Sequence, residues 1–448
     1  MADSNAEVVA NPTTGRAHIA VALSGGGHRA SLFGLGALLY LVDAGKGPEL
    51  SCVSSISGGS LTNAYVGLKT DLTKVTPEGF RDDVRPLAKA VSTGGTVWAR
   101  PLTYAYLLSM VAILGVASWL CFPLHGAWPL LVWAVALVAV GWLAQKRSWV
   151  AGNAFDAVLF KRAKLAAMHT GVDHVITACD LQTAEQVYFS GRFVHSFRLG
   201  WGEPADVRLG WAAQASACLP GAFSPVHRSA APHKFRDPTA EAPAGFILVD
   251  GGVYDNMGTE WPIRLADRVH EGTPPTPPPL VPDELIVVNA SAGQGVTARN
   301  RLRVPIIGEL LALLADKDVL YDQTTAVRRR LLDELFHDKR PAGTLVQIDR
   351  SPFELPKKFE RPEGSPGDDA LSQTARRLRK ALGDTEAEWA KDAKANRKVA
   401  TKLSKIPADR AARLLRHAYV LTMINAHLLL GYPLLAIPDV ESLLPLVQ

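Results

Sequence analysis

The sequence has 448 residues, of which 48% are hydrophobic and 20% charged, and its formal net charge is +5. This composition excludes a disordered chain, and the small, diffuse charge argues against a nucleic-acid-binding protein, although it suits an anionic membrane surface. Four scattered cysteines, at positions 52, 121, 179 and 218, show neither metal-ligand spacing nor a disulfide framework. They indicate a reducing compartment. We expect no metal and no cofactor.

The first hundred residues predict alternating strands and helices. Residues 1–16 lack a signal-peptide pattern and are predicted to be a disordered lead-in to a chain that starts in the cytoplasm. AHIAVAL (17–23) predicts a buried strand, and SGGGHRASLFGLGALLYLVDAG predicts a glycine turn followed by a helix. ELSCVSSIS and GGSLTNAYVGLKTDL repeat the pattern. This alternation is typical of an α/β protein with a mainly parallel sheet and covering helices.

The next segment, 101–147, predicts an inserted transmembrane helical hairpin. Between 101 and 145 no residue is Asp, Glu, Lys or Arg. As helices, 104–122 and 128–144 would be about 28 Å and about 25 Å long, close to a hydrocarbon core of about 30 Å. Tryptophans lie near the ends of the two spans, as interfacial aromatics do. The flanking Arg100, Lys146 and Arg147 predict, by the positive-inside rule, that both flanks lie in the cytoplasm and His125 outside. The alternative is a pair of buried core helices.

The remaining chain continues the α/β pattern and then becomes helical. Residues 173–190 predict two strands joined by a polar turn, 211–226 a helix ending at Pro220-Gly221, and 246–258 a strand entering a glycine turn. ELIVVNASAG predicts another buried strand, and 309–338 a helix. The stretch 369–430 has helical charge spacing and an apolar end that is short for a membrane span. We expect that end to be an amphipathic helix on the domain or on the bilayer.

The stretch SGGGHRAS predicts an anion-binding loop. Gly25, Gly26 and Gly27 leave unshielded backbone N–H groups at a positive helix end, which suits a phosphate or a transition-state oxyanion. The motif GK[ST] is missing from the loop, which argues against a nucleotide P-loop. The alternative is a plain tight turn. Arg29 is predicted to lie on the surface, attract an anionic head group or brace the loop.

The stretch SSISGGSLTNA predicts a nucleophile elbow, in which a serine occupies a sharp turn between a strand and a helix. Ser57 fits best, because a strand precedes it and Gly58 and Gly59 open the helix. Ser55 stands where this elbow usually has its first glycine. Ser60 falls inside the helix and is expected to form local hydrogen bonds.

The stretch VDGGVYDN supplies a candidate general base. Asp250 ends an apolar strand, so its carboxylate is expected at the strand's carboxyl-terminal edge, where open α/β sheets place their sites. The alternative is a turn-forming Asp, a role expected for Asp255 with Asn256. None of the histidines fits a conventional triad, and His28 is expected to point away from the loop.

GGGHRA, SISGG, ASACLPGAFSPV and VDGGVYDN, in this order, resemble the patatin-like phospholipase family, although Ala30 and Ser55 replace common glycines. The resemblance covers roughly residues 17–330 without the hairpin. It implies a three-layer α/β/α fold with a mainly parallel central sheet. It further implies a Ser57–Asp250 dyad and an oxyanion hole of Gly25, Gly26 and Gly27.

The predicted organisation follows from this resemblance and the hairpin. A patatin-like domain has a first part at 17–100, with the oxyanion loop and nucleophile, and a second part at 148–340, with the catalytic Asp. The hairpin 101–147 separates the two parts, and a helical region, 341–448, follows. An even number of crossings keeps the catalytic domain and both termini in the cytoplasm.

We therefore expect a multi-pass membrane protein with two spans that acts as a serine lipid acyl hydrolase of phospholipase A type. It would cleave a membrane phospholipid or another acyl-ester lipid through an acyl-enzyme. Alternatives are an esterase or thioesterase on soluble acyl substrates, a toxin-like lipase, and a catalytically silent lipid-binding scaffold. The basic stretch 369–416 is a partner surface or, alternatively, a solvated helical face. The oligomeric state stays open.

Overall fold

The structure is a computed structural model that describes residues 17–291 and 307–448. The predicted disordered segment 1–16 and the last two residues of ELIVVNASAG lie outside the described residues. The strands are β1 Ile19–Leu23, β2 Leu50–Ile56, β3 Asp173–Asp180, β4 Glu185–Phe189, β5 Val194–Ser196, β6 Gly200–Gly202, β7 Val226–Ser229, β8 Gly245–Asp250, β9 Glu284–Asn289 and β10 Ala342–Gln347. The helices are α1 Gly27–Asp43, α2 Gly58–Lys69, α3 Pro77–Thr93, α4 Pro101–Cys121, α5 Trp128–Ala144, α6 Arg147–Phe155, α7 Leu209–Ser216, α8 Glu260–Ile263, α9 Leu265–Glu271, α10 Ile307–His337, α11 Glu354–Phe359, α12 Ala370–Leu382, α13 Glu386–Arg397, α14 Ala408–Leu430 and α15 Val440–Val447.

The strands form one sheet whose centre is parallel. Its order is β10-β9-β1-β2-β3-β4-β5-β6, with β8 on β3 and β7 on β8. The pairs from β10 to β3 are parallel, whereas β4 to β6, β7 and β8 are antiparallel to their neighbours. Strands β1, β2 and β3 are buried along their whole length, as expected for strands covered on both faces. The mainly parallel sheet predicted from the sequence is confirmed.

Helices cover both faces of this sheet. Side chains of β1 alternate, so that Val21 packs in one core cluster with α1 and α14, whereas Ala22 packs in another with Trp261 and Leu332. This alternation follows from the two-residue period of a strand. The result is the three-layer α/β/α arrangement.

The carboxyl-terminal region shares the core of the preceding domain. Strand β10 extends the central sheet by pairing with β9, and α14 is buried along most of its length in the cluster that also contains α1. The apolar end of the predicted 369–430 stretch therefore packs on the domain. Helix α7 ends at Ser216, four residues before the Pro220 stop predicted from the sequence.

The two hairpin helices, α4 and α5, are exposed along most of their length. Only Thr103 and Ala117 of α4 and Ala136 of α5 are buried, whereas Trp119 is 72% and Val138 73% exposed. Helix α4 and the helical stretch Trp128–Phe160, which begins with α5, are long and apolar enough to cross a membrane. In the described structure these two helices are not buried in the core of the domain.

Candidate active site

Ser57 lies on a strained turn between β2 and α2. Its backbone has φ 51° and ψ −117°, a conformation that costs a residue with a side chain about 1–3 kcal/mol. Gly58 permits the turn, because a Cβ there would lie 2.0 Å from the carbonyl oxygen of Gly27. The Ser57 N–H donates to the Ser216 Oγ over 2.9 Å. This is the geometry that the sequence predicted for a nucleophile elbow.

Ser55 is accommodated in place of the usual first glycine. Its hydroxyl is buried, donates to the carbonyl of Val175 over 3.0 Å, and accepts from Ser60 Oγ at 3.0 Å and Asn63 Nδ2 at 2.9 Å. The hydroxyl is therefore fully paired below the turn. Ser60 also pairs with the Ser216 Oγ over 2.8 Å, in keeping with the local bonding role expected for it.

Asp250 lies at the same site as Ser57, at the end of a strand, β8, that runs antiparallel to β2. β4 occupies one edge of β3, and β2 and β8 share the other edge. Ile56 pairs with Thr177, and the next residue of β3, Ala178, pairs with Asp250. Strands β2 and β8 therefore end facing each other, and Ser57 and Asp250 both line one cavity. Asp250 is buried, and its Oδ1 accepts the Gly252 N–H over 2.8 Å.

The neighbouring carboxylate, Asp255, serves the turn. Its oxygens accept from the backbone N–H groups of Met257, Thr259 and Glu260 at 2.6–2.9 Å, at the start of α8. A carboxylate bound in this way holds a helix start. This geometry agrees with the turn role expected for Asp255, and of the two carboxylates in VDGGVYDN it is Asp250 that lines the cavity.

The three loop glycines have different surroundings. Gly26 and Gly27 have φ 140° and 61°, line the cavity, and stand at the positive amino-terminal end of α1. The Gly25 N–H instead donates to the carbonyl of Asn256 over 2.9 Å. That bond corrects the expectation for Gly25, because its amide is already committed within the protein. Gly25 still approaches the nucleophile, since a Cβ there would lie 3.4 Å from the Ser57 Cβ.

Arg29 braces the loop. It is only 4% exposed, and its guanidinium donates to the carbonyls of Val399 at 2.6 Å and Arg397 at 3.3 Å. Burial lowers the pKa of Arg29 to about 10, so the side chain remains charged at neutral pH. Of the three roles that the sequence left open, the surface location does not occur, and the observed bonds are those of a brace.

His28 points away from the cavity, as expected. Its Nδ1 contacts the Ser404 carbonyl at 2.8 Å, and its Nε2 contacts the Thr96 Oγ1 at 2.9 Å. A carbonyl only accepts, so Nδ1 carries the proton and Nε2 accepts from the threonine hydroxyl. Burial lowers the pKa of His28 to about 4, which keeps the ring neutral.

Within the described residues no group of three His, Cys, Asp or Glu side chains is placed to hold a metal ion.

Two site residues carry no sequence signal that we recognised. Ser216, at the end of α7, holds the Ser57 amide, although its ASACLPG context belongs to one of the quoted stretches. Tyr321, on α10, lies beside Asp250, and a Cβ on Gly252 would meet its ring at 2.6 Å. Burial and then the Asp250 charge raise the pKa of Tyr321. Its distance along the chain from Asp250 hides this contact in the sequence.

The cavity has a volume of about 750 Å³ and a mostly apolar lining. This volume is typical of a small-molecule site. Apart from the residues above, it is bounded by the base of the hairpin, the loop after α7, residues 401–404 before α14, and by Ser291 and Asp322. An apolar cavity with a serine, a carboxylate and two glycine amides at one end suits an ester with a long apolar group.

The site and fold define an α/β protein with a serine on a strand-to-helix elbow. The family model for patatin-like phospholipases matches residues 21–261, more than half of the chain. The chain belongs to the patatin-like phospholipase family, a family of lipid acyl hydrolases.

Comparison with other proteins adds distant similarities. A search of curated proteins finds no match. Human GIVD cytosolic phospholipase A2, solved with methyl gamma-linolenyl fluorophosphonate, is 15% identical with a TM-score of 0.38, covering 96% of this chain and 60% of that one. The chain thus spans less than two thirds of that protein. VipD from Legionella pneumophila is 13% identical with a TM-score of 0.25, covering 96% and 90%.

Proposed function

We propose that the protein is a membrane-anchored serine lipid acyl hydrolase that cleaves fatty-acyl esters through an acyl-enzyme. One observation carries this proposal: Ser57, on a strained turn, and Asp250 line one apolar cavity with the loop glycines. Family membership supports the reaction class. The substrate class is a membrane phospholipid or another acyl-ester lipid.

In the first half-reaction, the Ser57 Oγ forms a bond to the ester carbonyl carbon, and Asp250 accepts the hydroxyl proton. The N–H groups of Gly26 and Gly27 stabilise the oxyanion. Gly58 is a further candidate donor, because its amide follows the nucleophile at the start of α2. Each such donor typically contributes about 100- to 1,000-fold to kcat. Collapse of the intermediate expels the alcohol, which takes the proton from Asp250.

In the second half-reaction, water attacks the acyl-serine while Asp250 accepts its proton. As the bond between the acyl carbon and the Ser57 Oγ breaks, Asp250 returns the proton to that oxygen, and the products are a free fatty acid and the regenerated serine. General-base catalysis of this kind contributes about 100- to 10,000-fold. The mechanism gives no role to a histidine, in keeping with the bonds that hold His28 away from the cavity.

Membrane anchoring is supported by the exposure of α4 and α5. A helix of 21 residues is about 32 Å long and one of 17 residues about 26 Å, near the thickness of a hydrocarbon core. The Lys146 ammonium lies 4.9 Å from the centre of the Trp142 ring, a pair that suits the membrane interface. In this proposal both ends of the hairpin, and with them the catalytic domain, lie in the cytoplasm.

A fluorophosphonate probe tests the proposal. The probe is expected to phosphonylate Ser57 in the wild-type protein, as shown by peptide mapping, and to leave Ser57→Ala unmodified. A silent scaffold would not react. Comparing turnover of one ester as a monomer and in micelles separates a lipid hydrolase from an esterase or thioesterase on soluble substrates, since only the former gains from the micellar surface.

A further inference from the structure

The base of the hairpin forms one wall of the catalytic cavity. Thr103, Tyr106 and Leu107, in the first two turns of α4, line the same space as Ser57, and so does Val150 of α6. A membrane anchor needs no such contact, because anchoring requires only the exposed apolar faces further along α4 and α5. The shared wall therefore calls for an explanation beyond anchoring.

Hydrogen bonds fix the hairpin base to the loop after α7, which also lines the cavity. The Arg147 guanidinium donates to the Gly221 carbonyl over 3.3 Å, and the Ser224 Oγ donates to the Gln145 carbonyl over 2.7 Å. The Ser148 hydroxyl donates to the Ser224 carbonyl. In the first turn of α4, the other helix of the hairpin, the Thr103 Oγ1 donates to the Val97 carbonyl over 2.6 Å. These bonds hold the α4 wall at a set position relative to the serine.

Leu107 belongs both to the wall of the cavity and to the exposed surface of α4. It lines the cavity and is 39% exposed, on a helix whose neighbouring residue Leu108 is 66% exposed. Trp98, 44% exposed, also lines the cavity beside the start of α4 and packs against Tyr104. Tryptophan and tyrosine at the end of a membrane helix mark the interface level. The cavity thus opens where lipid tails meet head groups.

We propose that the hairpin base is an acyl-chain binding site that sets the chain-length preference of the enzyme. A fatty-acyl tail passes from the bilayer along Leu107 and Tyr106 and places its ester at Ser57. The tail then leaves the hydrocarbon of the membrane for an apolar wall without crossing water, so the transfer costs little hydrophobic free energy. This inference rests on the proposed function and adds the residues that select its substrate.

The test compares Leu107→Trp with Leu108→Trp on soluble esters of increasing acyl length and on phospholipid vesicles. The first variant fills the channel, and overpacking of this size is expected to lower turnover of long-chain esters at least about tenfold. Short-chain turnover is expected to fall much less than long-chain turnover, so the ratio of the two measures the effect on the channel, and fluorophosphonate labelling checks that Ser57 still reacts. Leu108→Trp, the matched control on the outward face, retains the wild-type chain-length profile.

An unchanged chain-length profile in Leu107→Trp would overturn the acyl-channel proposal while leaving the hydrolase intact. Equal losses in both variants would also overturn it, since the effect would then come from the anchor. If the wild-type protein showed neither fluorophosphonate labelling nor turnover of short-chain esters, that result would instead contradict the proposed function itself. The two failures are thus distinguishable.

A different set of contacts ties the carboxyl-terminal region to the glycine loop. We define residues 397–404, from the last residue of α13 to the segment before α14, as the strap; they lie outside the family-matched residues 21–261. A Cβ on Gly27 would lie 2.7 Å from the Lys402 carbonyl oxygen, and the His28 N–H donates to that oxygen over 3.0 Å. With the Arg29 and His28 side-chain bonds, three consecutive loop residues touch the strap.

We infer that the strap positions the amides of Gly26 and Gly27, with Arg29 as the positioning residue that acts through it. Glycines at positive φ have no side chains to hold them, so their direction depends on what packs against them. The buried guanidinium binds two strap carbonyls, and His28 binds a third and Thr96. The carboxyl-terminal region is thereby part of the active site.

Arg29→Gln tests this inference by removing the cation and one of its two bonds. We expect kcat on a short soluble ester to fall about tenfold, with KM and fluorophosphonate access changed far less, because a displaced amide weakens only the transition state. Arg29→Lys, which keeps the charge, is expected to recover part of kcat.

Thr96→Val offers a second route if Arg29→Gln fails to fold. It removes the hydroxyl bound to His28 and, like Arg29→Gln, is expected to lower kcat. A fall in thermal stability with unchanged kcat in the variants that fold would overturn the inference, since the strap would then be structural only.

Discussion

Ser57 and Asp250 lie at the facing carboxyl ends of two strands, β2 and β8, that approach each other along one edge of β3. Thr177 and Ala178, consecutive in β3, pair with Ile56 and Asp250. The pairing of one strand thus sets the spacing between the serine and the carboxylate. A rigid sheet is a better support for such a pair than two loops.

Asp250→Asn is expected to abolish most hydrolysis without unfolding the protein. The amide keeps an oxygen that can accept the Gly252 N–H, but it cannot take the Ser57 proton. Loss of general-base catalysis predicts a fall in kcat of about 100- to 10,000-fold. Steady-state turnover of a soluble ester, with a thermal melt as the folding control, measures this; turnover within tenfold of wild type would assign the base elsewhere.

Ser55→Gly would restore the usual first glycine of the elbow and is nevertheless expected to destabilise the protein. The substitution removes the Ser55 hydroxyl as donor to the Val175 carbonyl and as acceptor for Ser60 and Asn63. These groups keep only their other bonds, which are Ser60 to Ser216 and Asn63 to the carbonyls of Val53 and Val175. Each buried hydrogen bond that is lost costs about 0.5–1.5 kcal/mol. Chemical denaturation measures the free energy of unfolding; equal stability of the two proteins would show that the Ser55 network contributes nothing.

Acid is expected to lower stability through His28. Its pKa is about 4 in the folded protein, against about 6.5 for an unperturbed imidazole, so the unfolded chain binds the proton first. The stabilisation is fully present above pH 6.5 and is lost as the pH falls towards 4. At pH 5 the loss from this residue is about 2 kcal/mol.

Denaturation of the wild type and of His28→Gln at pH 7.5 and pH 5 measures that contribution. The variant should lose less stability on acidification, and the difference between the two losses is the share of His28. His174, His195 and His417 also have lowered pKa values because of burial, and they are expected to produce a pH dependence common to both proteins. Identical losses in the two proteins would contradict a buried neutral His28.

Charges on the exposed faces of the hairpin are expected to impair membrane insertion. Val111 is 65% and Val138 73% exposed, each within the span of its helix. Two arginines there cost about 5–7 kcal/mol by insertion scales. Resistance to alkaline extraction from membranes should fall in Val111→Arg/Val138→Arg and persist in Val111→Leu/Val138→Leu. Equal extraction of both pairs would argue that α4 and α5 do not span a bilayer.

The local signals in the sequence predicted much of this site. The glycine loop before α1, the elbow at Ser57 and the strand that ends at Asp250 are each encoded within a dozen residues, and each occurs where its pattern indicated. Local patterns could not predict that β8 runs antiparallel to β3, because strand direction depends on long-range pairing. Asp250 therefore enters the site at the end of an antiparallel strand, whereas in a doubly wound sheet it would follow a parallel one.

The contacts that the sequence concealed are all long-range. Three segments far apart in the chain supply these contacts: the helix with Tyr321, the strap beside Gly27, and the hairpin wall. In the sequence, they have the patterns of a surface helix, a loop and a membrane anchor, respectively. The Gly25 amide was expected to face the site, yet it binds the Asn256 carbonyl, a bond that needs both loops in place. Such details arise from packing and not from local periodicity.

Fatty-acid release from long-chain phospholipid vesicles, after reconstitution of wild type and Ser57→Ala, tests the lipid hydrolase proposal most directly. Mass spectrometry of the vesicle lipids should show free fatty acid and the matching lyso-lipid with the wild type, and neither above the protein-free level with Ser57→Ala. Equal release by the two proteins, with both reconstituted to the same density, would contradict the assignment of Ser57 as the nucleophile.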